Sequence, residues 1–269
     1  MSHLWNKTLT LHVEARRLHA TLHPSWFQRQ TWGQRRSKDA SNVPDPRIHI
    51  EAALAQPLPQ ALDALFDELQ QQSDIRKATL SVTLADAHAH FDVVAGHYAA
   101  YSSQQLQAIA QGCVAELLAD AAPAQVVRWH LQPDLQHLLI CAVEQHLVDA
   151  VVQAADRHHL RLATLQPVFC RHWSHNGGAL PEGSGVFAVA DAGVEAVAGN
   201  GLIACVLSGT ITALSRCNMA SLDLQVNRLL ACLGQQALEM SEFVLVASDP
   251  RSFAPTERWR MGDWQEDDT

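Results

Sequence analysis

Residues 137–167 read HLLICAVEQHLVDAVVQAADRHHLRLATLQP, and three patterns follow one another within them. Leu138, Leu139, Ile140, Cys141, Ala142 and Val143 form an unbroken apolar run too short for a helix of its own, which marks a central strand covered on both faces. Leu147, Val148, Val151 and Ala155 then recur at helical spacing as far as His158-His159, and residues 161–166 return to a strand that Pro167 stops. Strand, helix and strand in one stretch predict an α/β chain.

Toward the N-terminus, Leu9, Leu11 and Val13 alternate with Thr10 and His12, and Leu18, Ala20 and Leu22 alternate with His19, Thr21 and His23. That is a β-hairpin with one apolar face. Residues 29–47 are polar and locally basic (Arg29, Arg35, Arg36, Lys38) and are expected to form a mobile surface loop. Leu58, Ala61, Leu62, Leu65, Phe66 and Leu69 predict an amphipathic helix that opens on Pro57 and Pro59. Leu80, Val82 and Leu84, then Phe91, Val93 and Ala95, predict two strands. Ser102 and Gln105 form a capping box ahead of a helix expected to bury Leu106, Ile109, Cys113 and Leu117, and residues 125–131 read as a further strand.

Toward the C-terminus, residues 176–183 (NGGALPEG) combine turn formers without periodicity and divide the chain into a first domain at 1–175 and a shortened second domain at 184–269. Strands are expected at 185–190, 194–198 and 202–207. A helix carrying Leu222, Val226, Leu229, Leu230, Leu233 and Ala237 follows, then a buried strand at 243–247 and an acidic tail.

The 269 residues hold 19 Lys+Arg against 28 Asp+Glu, a net charge of −9 that argues against a nucleic-acid partner. The six cysteines contain no CxxC pair and read as free thiols of a cytoplasmic protein, and the first residues lack the apolar core of a signal peptide. No apolar run reaches the ~20 residues of a membrane span, so a transmembrane segment is not expected.

The run ATLSVTLADAHAHFDVVAG (78–96), the segment 137–167 ending Leu-Arg-Leu…Pro, and the strand-Asp-x-Gly-strand-turn-strand order of 185–209 together resemble the PilM/GspL group, actin-like proteins of type IV pilus and type II secretion assembly platforms. The resemblance implies a two-domain actin-like (RNase H-like) α/β fold with mixed sheets and flanking helices. It also implies a cytoplasmic scaffold, peripheral at the inner membrane and able to self-associate, that binds the cytoplasmic segment of an inner-membrane assembly protein. The nucleotide motifs of such a fold are degenerate here. The first hairpin has His12-Val13-Glu14-Ala15 where an Asp-x-Gly loop would cradle phosphate, and Ser248-Asp249-Pro250 stands where an adenosine loop would need paired glycines. Asp191-Ala192-Gly193 keeps the second Asp-x-Gly, but Val194, Glu195 and Ala196 follow it in place of small hydroxyl residues.

Recognition rather than turnover is therefore expected, with no cofactor. The alternative is an ATPase or small-molecule kinase in which Asp191 and Gly193 hold the phosphates of ATP/Mg and Glu14 replaces the missing Asp. A plain strand-to-strand turn accounts for Asp191 and Gly193 equally well. A further alternative is a metal protein: Asp86, His88, His90 and Asp92 would share one face of a strand, and His88 and His90 would ligate zinc. A solvated strand face explains the same residues. Cys170, His172 and His175 read as an incidental loop cluster after Pro167.

Overall fold

The computed structural model describes residues 7–23, 47–118, 123–176, 183–190, 200–233, 242–247 and 259–261. Packing groups the chain into two units, Met1–Leu84 with His146–Gln166, and Ala85–Gln145 with Pro167–Thr269. This differs from the linear division at 1–175 and 184–269, because residues 85–145 leave the first unit and pack with the C-terminal part.

The first unit is built on one five-stranded sheet. Strands β1 (Thr8–Val13) and β2 (Arg17–His23) form the hairpin expected from the alternation, closed by the Glu14 N–H donating to the Arg17 carbonyl at 2.9 Å. A strand the periodicity reading passed over, β3 (Ile48–Ala53), pairs antiparallel with β2, and β4 (Thr79–Leu84) pairs parallel with β1. With β8 (Arg161–Pro167) the order is β3-β2-β1-β4-β8. Leu9, Leu11, Leu18, Ala20, Leu80, Val82 and Leu84 bury one face completely. Helix α1 (Leu58–Gln72) packs against β2 and β3, with Leu62, Leu65, Phe66 and Leu69 at its buried stripe. Beside it lies α3 (Gln145–Arg157), tied by the Arg157 guanidinium donating to Asp63 at 2.8 and 3.1 Å and by the His158 ring edge against Phe66.

The second unit repeats that topology. Strands β9 (Gly185–Ala190), β10 (Asn200–Leu207), β11 (Thr210–Asn218), β12 (Glu242–Val246) and β13 (Arg260–Met261) run in the order β11-β10-β9-β12-β13, with β9/β10/β11 antiparallel and β9/β12 parallel. Each sheet thus has third, second, first, fourth and fifth strand in line, which is the duplication the sequence resemblance implied. The unpredicted β11 follows Ser208 and Gly209, both at positive φ (+49° and +76°), the backbone of a two-residue hairpin turn. The strand expected at 194–198 lies outside the described residues.

All six residues of β9 are buried, because both faces are covered. On one side Val186, Ala188, Ile203 and Leu245 meet Leu222 and Val226 of α5 (Leu222–Leu233) and Trp259. On the other, Phe187, Val189, Ala204 and Val244 meet Phe169 of α4 (Val168–Asn176) and Leu139. Leu139 belongs to the inserted antiparallel sheet β5-β7-β6, made of β5 (Ala89–Ala95), β7 (His137–Glu144) and β6 (Gln125–Leu131). Its far face, Leu138, Ile140 and Ala142, is covered by α2 (Ser103–Leu118). The capping box forms as expected: the Ser102 N–H donates to Gln105 Oε1 at 2.8 Å, and the Gln105 N–H donates to Ser102 Oγ at 3.3 Å. Leu106 of the expected stripe is buried, with Ala110 and Val114, and Ile109 and Cys113 pack partly buried against the same core, while Leu117 is 54% exposed.

Candidate functional site

The tract expected to be one strand from Asp86 to Asp92 is a 3-10 turn followed by a strand. Asp86–His88 forms the turn and β5 starts at Ala89, so the alternation that would align four ligands is broken at its first two members. Among the described residues no three His, Cys, Asp or Glu side chains converge closely enough to hold a metal ion as they stand. His88 Nε2 is nevertheless buried without a hydrogen-bond partner.

Asp86 is 4% exposed and its Oδ1 accepts the Phe169 N–H at 2.9 Å, so a carboxylate sits on the first turn of α4 from 83 residues away. Arg216 of β11 donates Nη2–H groups to the Asp86 and Ala89 carbonyls, clamping both ends of the turn. The neighbouring His90 imidazole is held below its ordinary pKa, first by burial and then by the Arg216 charge, against an opposing pull from Glu144. Across the inserted sheet Cys141 pairs in register with Phe91, whose ring meets Phe169 edge-on at 5.5 Å. The Cys141 thiol is pushed far up by its hydrogen bond with Cys170, by burial, and by the charges of Cys170 and Asp86. A thiol so held stays protonated, which is opposite to what a nucleophile needs.

Cys170, His172 and His175 lie on α4 and not in a loop, a correction to the sequence reading. Pro167 ends β8 and α4 begins at the next residue, with His172 buried and His175 Nδ1 bonded to the Arg171 carbonyl oxygen. A cavity of about 220 Å³ adjoins the Asp86 turn, lined by Asp86, Ala87, Gly201, Arg216, Asn218 and Gln225. It is smaller than the ~300 Å³ at which sites for organic ligands begin. Asp191 and Gly193 lie outside the described residues, as do most of the 29–47 segment and the residues after Met261. At the first hairpin the turn is built by Glu14, Ala15 and Arg16, and the Leu54 N–H donates to the Arg16 carbonyl. Arg216 and the buried Gln132 escaped the sequence reading. Gln132 stands just past the end of β6 and Arg216 between Ser215 and Cys217 of β11, and neither position carries a local pattern.

No protein-family model and no curated protein sequence matches this chain. Solved structures do. The PilM-PilN type IV pilus biogenesis complex matches 92% of this chain and 83% of its own at 14% identity, with a TM-score of 0.56. A Bacteroides thetaiotaomicron protein with an actin-like ATPase fold and unknown function matches 92% of this chain and 84% of its own at 11% identity, with a TM-score of 0.52. The cytoplasmic domain of EpsL, an inner membrane component of the Vibrio cholerae type II secretion system, matches 96% and 89% at 16% identity, with a TM-score of 0.48. The chain has the actin-like ATPase fold, as its duplicated sheets require. Among the described residues no helix is long and apolar enough to cross a membrane.

Proposed function

We propose that this chain is an actin-like scaffold of a pilus- or secretion-type assembly platform, and that it binds the cytoplasmic segment of an inner-membrane protein rather than turning over a substrate. The observation that carries the reading is the duplicated five-stranded sheet with its inserted three-stranded sheet, a fold shared with a PilM solved together with PilN. The first hairpin supports it further: its turn offers Glu14, Ala15 and Arg16 and no glycine for close approach of phosphate. In this reading the chain works on the cytoplasmic side, peripheral to the membrane, and the basic segment 29–47 meets anionic headgroups at about 1 kcal/mol per Lys or Arg.

Co-expression with tagged cytoplasmic segments of the membrane proteins encoded beside it is the test. A complex that survives size-exclusion chromatography supports the scaffold, and free elution with every such segment overturns it. The competing reading, an ATP/Mg enzyme, rests on Asp191-Ala192-Gly193. Thermal stabilisation by Mg-ATP that disappears in Asp191→Ala would establish it, because a ligand that binds only the folded state must raise its stability.

A further inference from the structure

Two cysteines of the second unit meet across a long stretch of sequence. Cys141 lies on β7, where register places it opposite Phe91 of β5, and Cys170 lies on α4, one residue after Phe169. The Phe91 and Phe169 rings meet edge-on at 5.5 Å, and beside that contact the Cys141 and Cys170 side chains share a hydrogen bond. Phe169 is fully buried against Phe91, Phe187 and Trp173, so the first turn of α4 is fixed where it delivers Cys170 to the inserted sheet.

The pair stands apart from the other thiols of that unit. Cys205 and Cys217 are buried, and Cys217 Sγ faces the Met219 thioether at 3.5 Å, a sulfur that forms no disulfide. Cys170 is only partly buried, which leaves it surface that small solutes can reach. Position in the chain gives a bond between Cys141 and Cys170 a wider reach. The chain leaves the second unit after Gln145 and returns to it at Pro167, so Cys141 stands shortly before the departure and Cys170 shortly after the return. A covalent link between them closes a loop around His146–Gln166, the segment that contributes most of α3 and β8 to the first unit.

From this geometry we infer that Cys170 is a site of oxidative modification by hydrogen peroxide, with Cys141 as the resolving thiol that converts the product into a disulfide. Cys170 loses its proton to solvent and its sulfur attacks one peroxide oxygen; the O–O bond breaks, a sulfenic acid forms on Cys170, and the departing hydroxide takes a proton from solvent to become water. Cys141 Sγ then attacks the Cys170 sulfur. The S–S bond forms as the S–O bond breaks, and the hydroxide leaves with the Cys141 proton as a second water. Two thiols are thereby oxidised by two electrons to one disulfide while the peroxide is reduced to two waters. Oxidation of Cys170 also cancels its charge, one of the causes that hold the Cys141 proton in place beforehand. A disulfide requires its Cα atoms within about 7 Å and its sulfurs at about 2.05 Å. The thiol hydrogen bond has already brought the sulfurs together, and rotation about the two Cα–Cβ bonds completes the approach. Thiol reductants reverse the bond by exchange, as in the transient disulfides of reducing compartments.

The test uses the reduced full chain and hydrogen peroxide. Non-reducing peptide mass spectrometry is expected to find the Cys141 and Cys170 peptides joined, short of two hydrogen atoms and separated again by dithiothreitol. The oxidised monomer should melt roughly 5–10 °C above the reduced one, because the closed loop restricts the unfolded chain. In Cys141→Ser the sulfenic acid on Cys170 has no resolving thiol and should be trapped by dimedone, whereas in Cys170→Ser the Cys141 thiol should stay unmodified at the same peroxide dose. Cys141→Ala and Cys170→Ala, with far-UV circular dichroism of the reduced variants, control for folding. Oxidation of Cys232 without a Cys141–Cys170 peptide in the wild-type chain overturns the proposal, as does equal oxidation of Cys141 in Cys170→Ser.

Discussion

Gln132 is 2% exposed, and its side-chain amide copies a strand: the Ile211 N–H donates to Oε1 at 2.7 Å while Nε2–H donates to the Ile211 carbonyl at 2.6 Å. Ile211 lies on β11, an edge of the second five-stranded sheet, and beside the two-residue turn its backbone would otherwise lack a strand on that side. Replacing Gln132 by Ala removes two net hydrogen bonds and leaves a buried N–H and C=O to be satisfied. At about 1–3 kcal/mol for a stranded buried group, with partial relief by entering water, the cost is about 2–4 kcal/mol. For a chain of this size that lowers Tm by roughly 5–15 °C. Denaturant unfolding measures the loss, and hydrogen exchange locates it, because the Ile211 amide should lose protection before the amides of β9. Gln132→Glu separates bonding from volume. Ionised, it sets a carboxylate against a carbonyl and should be at least as damaging as Ala, with recovery at acid pH as the protonated carboxyl regains a donor. A loss under 0.5 kcal/mol in Gln132→Ala with unchanged Ile211 exchange would refute the reasoning.

Phe169→Ala should cost about 3–5 kcal/mol, because a fully buried ring that meets Phe91, Phe187 and Trp173 leaves a cavity where α4 joins two sheets, and denaturation will show it. Burial pushes the Asp134 carboxyl up, but it is held lower overall by hydrogen bonds from the Gln136 N–H, the His137 ring and the His137 N–H. A depressed carboxylate stabilises the fold above its unfolded pKa of about 3.9 and loses that contribution as pH falls through the folded value, so Asp134→Asn should flatten the acid limb of stability against pH. Burial raises the Cys205 and Cys217 thiols to about 12, so alkylation at neutral pH should label exposed Cys232 first and reach those two only on unfolding, as mass spectrometry can follow. Gly201→Ala should destabilise the second sheet in thermal melts, since a Cβ there would come within 2.5 Å of the Val189 carbonyl oxygen.

The 3-10 turn at Asp86–His88 breaks the single-strand alternation that makes this tract resemble a metal site in sequence. Asp86 is spent on the first turn of α4, and Arg216 is spent on the carbonyls around it. Both partners come from distant segments, so Asp86 and Arg216 act as fasteners within the second unit.

Local patterns determined a good deal of this protein. Alternation defined β1, β2 and β4, the unbroken run 138–143 marked the doubly covered β7, and Ser102 with Gln105 placed the start of α2, because each depends on side chains a few residues apart. Strand β3 was legible too, since Ile48, Ile50 and Ala52 alternate with His49 and Glu51, but the polar segment before it hid so short a signal. Strand β11 was not, because TITALSRCN fits no single period. The strand orders, the partition of residues 85–145, the Gln132 bridge to β11, the Asp86 contact with α4 and the meeting of Cys141 with Cys170 were decided by tertiary structure alone. Each joins residues on separate strands or segments, and whether such residues meet depends on register and packing, which no local period contains.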